Sequence, residues 1–310
     1  MLSIAREERA ISTIVAAMLL LVIITTFMAA INSYYIPSLG ARSEIEHMQQ
    51  VRQSFNELDS RISLYSYLAY QASRDDNILP PPDMKIPISL GSKGIQYFSI
   101  TSSSGALVAN PDEMNITNKT PGTKMNVTIN YREKINSTET INITALPINS
   151  TGSLQYRGFN HFWINQDIIF EHGAMILSQP QYHRSMIISA PLGDPYELKG
   201  RDNVTLNLNM YNITNRKSAS GNADYMLLLN VKHAVNYSYS DVNNVTINVT
   251  SESHQAWYDY FESFRNLTGM NGPEHDITNK SVGVTFYNYT SVNIILSDVA
   301  VSYSIQGTKK

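Results

Sequence analysis

Seven histidines, 26 carboxylates and no cysteine make up the chain's means for acid–base and metal chemistry. The histidines stand at 47, 161, 172, 183, 233, 254 and 275. No two are four apart, so neither His-x-x-x-His nor His-Glu-x-x-His spacing puts two ligands on one helical face. Without cysteine there is no disulfide framework, no thiolate metal site and no thiol nucleophile. Asp167, Glu171 and His172 lie close together, and two readings of them stand: a metal or acid–base group, or ordinary polar residues at a strand end. No Gly-x-Ser-x-Gly elbow, phosphate loop, dinucleotide fingerprint or Asp-x-Asp-x-Asp-Gly loop is present. The sequence therefore names no catalytic residue, no metal and no cofactor, and a non-enzymatic role is expected.

A different chemistry is abundant. Asparagine supplies 29 of 310 residues, and fourteen of them open an Asn-x-Ser/Thr sequon. These are Asn115, Asn118, Asn126, Asn136, Asn142, Asn149, Asn203, Asn212, Asn236, Asn244, Asn248, Asn266, Asn279 and Asn288. Each is a potential acceptor of a bulky, solubilising glycan on an extracellular surface. The array exceeds what chance pairing would supply, and none of it precedes residue 115. Glycans would also account for how a chain only 16% charged keeps a hydrated surface. The alternative is that Asn and Thr serve only as strand-face and turn residues. A net charge of −3 with no basic run leaves no expectation of nucleic acid as a partner.

The elements that must position these groups begin with the N-terminal segment. From Ala10 to Ala41 no side chain is charged, and Ile11 to Ile31 is almost wholly apolar. At 1.5 Å per residue that run spans about 32 Å, enough to cross a bilayer's hydrocarbon core. Ahead of it, Met1–Ala10 carries Arg6, Glu7, Glu8 and Arg9 and ends in a basic residue followed by a small one. A cleaved secretory signal, a plain uncleaved anchor and a leader cut before the helix all compete here. The Arg9-Ala10-Ile11 junction favours the last, with the charged leader in the cytoplasm and the body outside.

The stretch EERAISTIVAAMLLLVIITTFMAAI, continued by SEIEHMQQVRQSFNELDSRI, resembles the archaeal type IV pilin-like proteins with class III signal peptides. GSLQYRGFNHFWINQDIIFEHGAMILSQ and SESHQAWYDYFESFRN are similar to segments of the long surface proteins in that group. The resemblance implies cleavage between Ala10 and Ile11 by a prepilin peptidase. It also implies sister subunits as partners through the N-terminal helix, and membrane lipid before assembly. One departure is Val15, where bacterial relatives place a glutamate, so assembly register cannot rest on that charge.

Downstream, Pro37 and Gly40 predict a kink or unwound stretch, after which Ser43-x-x-Glu46 reads as a capping box opening a second helix. Ile45, Met48, Val51, Phe55, Leu58, Ile62 and Tyr65 form one apolar stripe along it, to pack on the protein's own β-domain or on neighbouring stalks. Arg74-Asp75-Asp76-Asn77 and Pro80–Pro82 end it. Alternating runs then predict strands over 94–100, 125–131, 140–145, 203–211, 225–235, 243–250, 281–289 and 291–305. Trp257, Tyr260, Phe261, Phe264 and Leu267 share one helical face, read as core, with Gly269 as its cap.

The fold class expected is α+β: a transmembrane helix and amphipathic stalk before an all-β, sandwich-like body with one inserted helix. The divisions are a leader over 1–10, the apolar helix over 11–36, kink and stalk over 37–76, a Pro-rich linker over 77–83, and a glycosylated extracellular body over 84–310. The function expected is a structural subunit of a type IV pilus-like surface filament, with adhesion as a further role. The alternative is a monomeric membrane-anchored glycoprotein that binds a ligand or carbohydrate.

Overall fold

A computed structural model describes residues 2–75, 77–94, 102–111, 122–134, 140–192, 205–265 and 272–305. It is α+β, with a long N-terminal helical arm and a body of two β-sheets.

Helix α1 (Leu2–Ala30) carries Arg6, Glu7, Glu8 and Arg9 near its start and is then rich in Leu, Ile, Val, Ala and Met. Its Thr25 and Thr26 hydroxyls donate back to the Leu21 and Val22 carbonyls, so these two polar groups of the apolar stretch are satisfied within the helix. Of the expected kink or unwound stretch at Pro37 and Gly40, the unwound stretch is corrected by the structure, since the chain stays helical through both. A single π-helical turn, Ile31–Tyr35, carries the chain directly into α2 (Ile36–Arg74), with the Ile36 N–H bonded to the Ile31 carbonyl. The wider turn is how the ladder passes Pro37, which has no N–H and crowds the carbonyl four residues back. The capping box is likewise not formed. Ser43 Oγ donates to the Lys93 carbonyl, and Glu46 pairs with Arg42. The helix ends where Asp75 turns extended and its carboxylate accepts from the Asn77 backbone and side-chain amides.

The strands are β1 (Met84–Ser89), β2 (Ser104–Ala109), β3 (Lys124–Lys134), β4 (Thr140–Thr144) and β5 (Ile148–Thr151). Next come β6 (Ser153–Phe159), β7 (Asp167–Glu171), β8 (Ala174–Gln179) and β9 (Arg184–Ser189). Beyond these lie β10 (Thr205–Ile213), β11 (Lys217–Gly221), β12 (Asp224–Thr250), β13 (Glu274–Asp276) and β14 (Ser281–Ile305). Helix α3 (His254–Phe264) follows β12. The first sheet has the order β10-β14-β12-β3-β4, with β1, β5 and β13 pairing on its flanks; the second is β11-β2-β6-β7-β8-β9. Pairing is antiparallel except for β10 with β14, a parallel pair that the sequence reading did not include.

Two expected strand pairs are each one continuous strand. The runs 225–235 and 243–250 both lie in the 27-residue β12, and 281–289 and 291–305 both lie in the 25-residue β14. Register shifts at 231/233 and 242/244, with Asp241 at φ 52°, let β12 bend without ending. One half of β12 then faces each of two apolar clusters. The first contains Leu227, Leu229 and Val231 and the second Val245, Ile247 and Val249. The runs named from sequence include no strand of the second sheet, and the expected run 94–100 lies almost entirely outside the described residues.

The apolar stripe of α2 packs on the protein's own body. Met48, Val51, Phe55, Leu58 and Ile62 are buried with Ile86, Leu229 and Val301 of one sheet and Leu107, Leu154 and Phe170 of the other. Ile45 and Tyr65 are half-buried at its margins. In the second cluster Trp257, Phe261 and Phe264 of α3 are buried and Tyr260 half-buried, which bears out the core reading of that face; Leu267 and Gly269 lie outside the described residues.

Candidate functional site

The predicted processing residues Arg9, Ala10 and Ile11 all lie within α1. From Val15 to Ala30 every residue of this helix is exposed, and it is long and apolar enough to cross a membrane. Side chains such as Leu20, Leu21, Ile23 and Phe27 find no cover in the body. The protein thus presents one helix with two environments: bare and apolar from Val15 to Ala30, then packed against the two sheets along α2.

Where the two halves meet, a carboxylate fixes a loop. Glu44 is buried on α2, and its two oxygens accept the consecutive backbone N–H groups of His161, Phe162 and Trp163 at 2.7, 2.8 and 2.7 Å. Hydrogen bonds to an ionised acceptor are the strong ones, and three converging on one carboxylate hold the β6–β7 loop against the helix. Phe162 lies over Gly40, where any Cβ would overlap its ring. The sequence reading missed this contact, although its phase was visible: Glu44 stands four residues before Met48 and seven before Val51, on the buried stripe.

Beside this junction, a cleft of about 390 Å³ opens between α2 and the exit of β1. It is lined by Glu46, His47, Gln50, Lys93 and Asp224 among other polar residues. His47 Nε2 lies 3.0 Å from the Ser89 carbonyl, so that nitrogen carries the proton and Nδ1 the free lone pair. Burial lowers the His47 pKa and keeps the ring neutral. Nδ1 itself is shut off from solvent and has no hydrogen-bond partner, so it is closed to an incoming substrate.

Asp167, Glu171 and His172 are not brought together. They occupy opposite ends of β7 and its turn, four strand residues or about 13 Å apart. Asp167 accepts from Gln155, and burial pushes its carboxyl up to about 6 against the attraction of Arg157. Glu171 is buried, and its Oε1 accepts from the Trp257 indole and the Ser251 hydroxyl, each at 2.7 Å. This ties the start of α3 to the β7–β8 hairpin. His172 and Gly173, at φ 51° and 81°, make the two-residue turn of that hairpin, with the twist such turns favour. The imidazole is fully buried and pushed down to about 3 by desolvation, with Nδ1 2.8 Å from Ser150 Oγ. These are internal tethers, in keeping with the strand-end reading.

His254 and His275 face each other at 2.7 Å, with Tyr258 stacked on His275 at 4.8 Å. Their separation of 21 residues left no local signal. Among the described residues no group of three His, Cys, Asp or Glu is placed to hold a metal ion.

The sequons separate by environment. Asn142, Asn149, Asn248 and Asn279 are exposed, whereas Asn126, Asn212, Asn236 and Asn244 are half-buried. Asn212 donates to Asp298 and accepts from the Thr151 amide, Asn244 accepts from Asn130, and the Oδ1 atoms of Asn126 and Asn236 are buried without partners. Asn149, Asn126 and Asn248 lie side by side across β5, β3 and β12. Asn288 lies within β14. Asn115, Asn118, Asn136, Asn203 and Asn266 lie outside the described residues.

No family model, curated protein or solved structure matches this chain.

Proposed function

We propose that this protein is a structural subunit of a type IV pilus-like surface filament, made with a leader that is cut between Ala10 and Ile11. The observation that carries the reading is the helix of two environments, bare and apolar from Val15 to Ala30 and then locked by its buried stripe into the body. A bare apolar helix has two stable surroundings, lipid or other such helices. Small residues at Ala16, Ala17, Ala29 and Ala30 allow close approach between sister helices. The uninterrupted helical continuation into α2 suits a part that must transmit force from a filament core to an outer domain. In this reading α1 sits in the membrane before assembly, the body is outside, and the sequons carry glycans on its exposed face. The prepilin peptidase and sister subunits are its partners, and the body contacts other surfaces.

The test is the mature N-terminus, read by mass spectrometry of protein taken from its native surface. A start at Ile11, with filaments in electron micrographs that bind an antibody to the body, is the expected result. A start at Met1 would leave a simple anchored glycoprotein, and a start at Ile31 a secreted one; either overturns the filament reading.

A further inference from the structure

The end of the body nearest α1 gathers most of the body's exposed aromatic side chains. The β6–β7 loop and the neighbouring strand end expose Phe159 (50%), Phe162 (36%) and Trp163 (40%), and the β8–β9 turn exposes Tyr182 (56%). These residues are held at one level of the molecule. Glu44 and Gly40 seat the loop on the first turns of α2, and Met48 borders Gly158 just above. Ser189 of β9 donates to Asp59 at 2.7 Å. Five strand residues back from there, about 17 Å, bring Arg184 to roughly the level of Met48. The Tyr182 turn lies beyond it, toward α1. By contrast, the outer face of the first sheet is a ladder of Asn and Thr, with side-chain bonds such as Asn130 to Asn244 and Thr246 to Thr285.

The level coincides with the end of the apolar helix. Tyr34 and Tyr35, both exposed, follow directly on the last apolar residues of α1. Gly40, under Phe162, is five residues farther on, about 7.5 Å along the helix. That distance matches the thickness of one headgroup layer, about 5–8 Å. Aromatic side chains with an apolar body and a polar edge favour this layer, and cationic side chains beside them meet lipid phosphates. Lys93 and Arg184 are exposed cations at this end, against Asp224, while Arg42 and Glu46 pair with each other.

We propose that this end of the body is a membrane-docking surface, with the Phe159–Trp163 loop seated in the headgroup layer of the bilayer that α1 crosses. Lys93 and Arg184 meet anionic headgroups around it. Glu44 is the positioning residue, since it aims the loop without touching lipid. The inference rests on α1 as a membrane helix and gives the body a fixed stance on the lipid instead of a free one.

The chain has two tryptophans, and Trp257 is buried in the other cluster, so Trp163 reports alone. The full chain is reconstituted in vesicles of phosphatidylcholine and phosphatidylglycerol that carry a nitroxide either on the headgroup or at the chain terminus. Flotation first separates inserted protein. The expected result is quenching of Trp163 by the headgroup nitroxide and not by the deep one. The quenched component should be absent in Trp163→Phe and reduced in Glu44→Gln, which keeps the reporter but weakens the clamp. If the protein floats and Trp163 is unquenched, the docking surface is refuted and the membrane helix stands. If Trp163 is instead protected by a second copy, seen as a Trp163-proximal cross-link between chains, the surface is a subunit contact and the proposal fails. If the protein does not float, both fall.

Discussion

His172 links the fold to pH in a way that one substitution can isolate. Its imidazole is buried with a pKa pushed down to about 3, whereas in the unfolded chain it titrates near its ordinary 6.5. Between these values the unfolded state binds the extra proton, so stability falls as pH drops from about 6.5 toward 3. Each unit is worth about 1.4 kcal/mol, which makes the loss between pH 7 and pH 4 about 3 kcal/mol. Asn at 172 suits the left-handed turn beside Gly173 and does not titrate. The His172→Asn variant therefore carries a constant packing penalty and lacks this part of the pH dependence. His47 and His254, also lowered by burial, act in the same direction in both proteins. Asp167, raised by burial to about 6, acts oppositely, contributing stability at low pH that is lost as pH rises from about 3.8 to 6. Urea unfolding of the full chain in detergent, followed by Trp257 emission beside the His172 ring, gives the difference directly. Equal pH dependence in the two proteins, or a His172 resonance titrating near 6.5, would refute the reasoning.

Two further outcomes follow from packing and exposure. Phe55 is fully buried at the centre of the α2 stripe, so Phe55→Ala should cost about 3–5 kcal/mol in urea unfolding, whereas Gln53→Ala on the exposed face should be near neutral. In glycopeptide mapping of native protein, Asn142, Asn149 and Asn248 should be occupied and Asn212 empty, because a glycan there would displace its bonds to Asp298 and Thr151. An occupied Asn212 with an unmodified Asn142 would reverse that assignment.

The features legible in the residues alone are those whose physics is local. A run of 21 uncharged, almost wholly apolar residues makes a helix of bilayer length in any context, because backbone bonding within a helix needs no outside partner. The stripe from Met48 to Ile62 likewise declares a buried face through its spacing, as does the aromatic face of α3. Strand periodicity was readable where one face is wet, as in β3 with its alternating Met125, Val127 and Ile129. It was weakest in the second sheet, where β7 and β8 are short apolar runs that could belong to either element type.

Tertiary structure alone decided the rest. Whether Pro37 unwinds a helix depends on whether a π turn can be held there, and whether 236–242 is a turn or the waist of a 27-residue strand depends on the partners along β14. The Glu44 clamp joins residues 117 to 119 apart in sequence, and the Glu171 tether joins residues 80 and 86 apart. Such bonds leave no spacing to read, because a carboxylate's donors are set by where the sheets bring the backbone and not by what precedes it in the chain. For the same reason, Asp167 and Glu171, close enough in sequence to allow a shared metal or acid–base role, stand at opposite ends of β7, since four strand residues span about 13 Å.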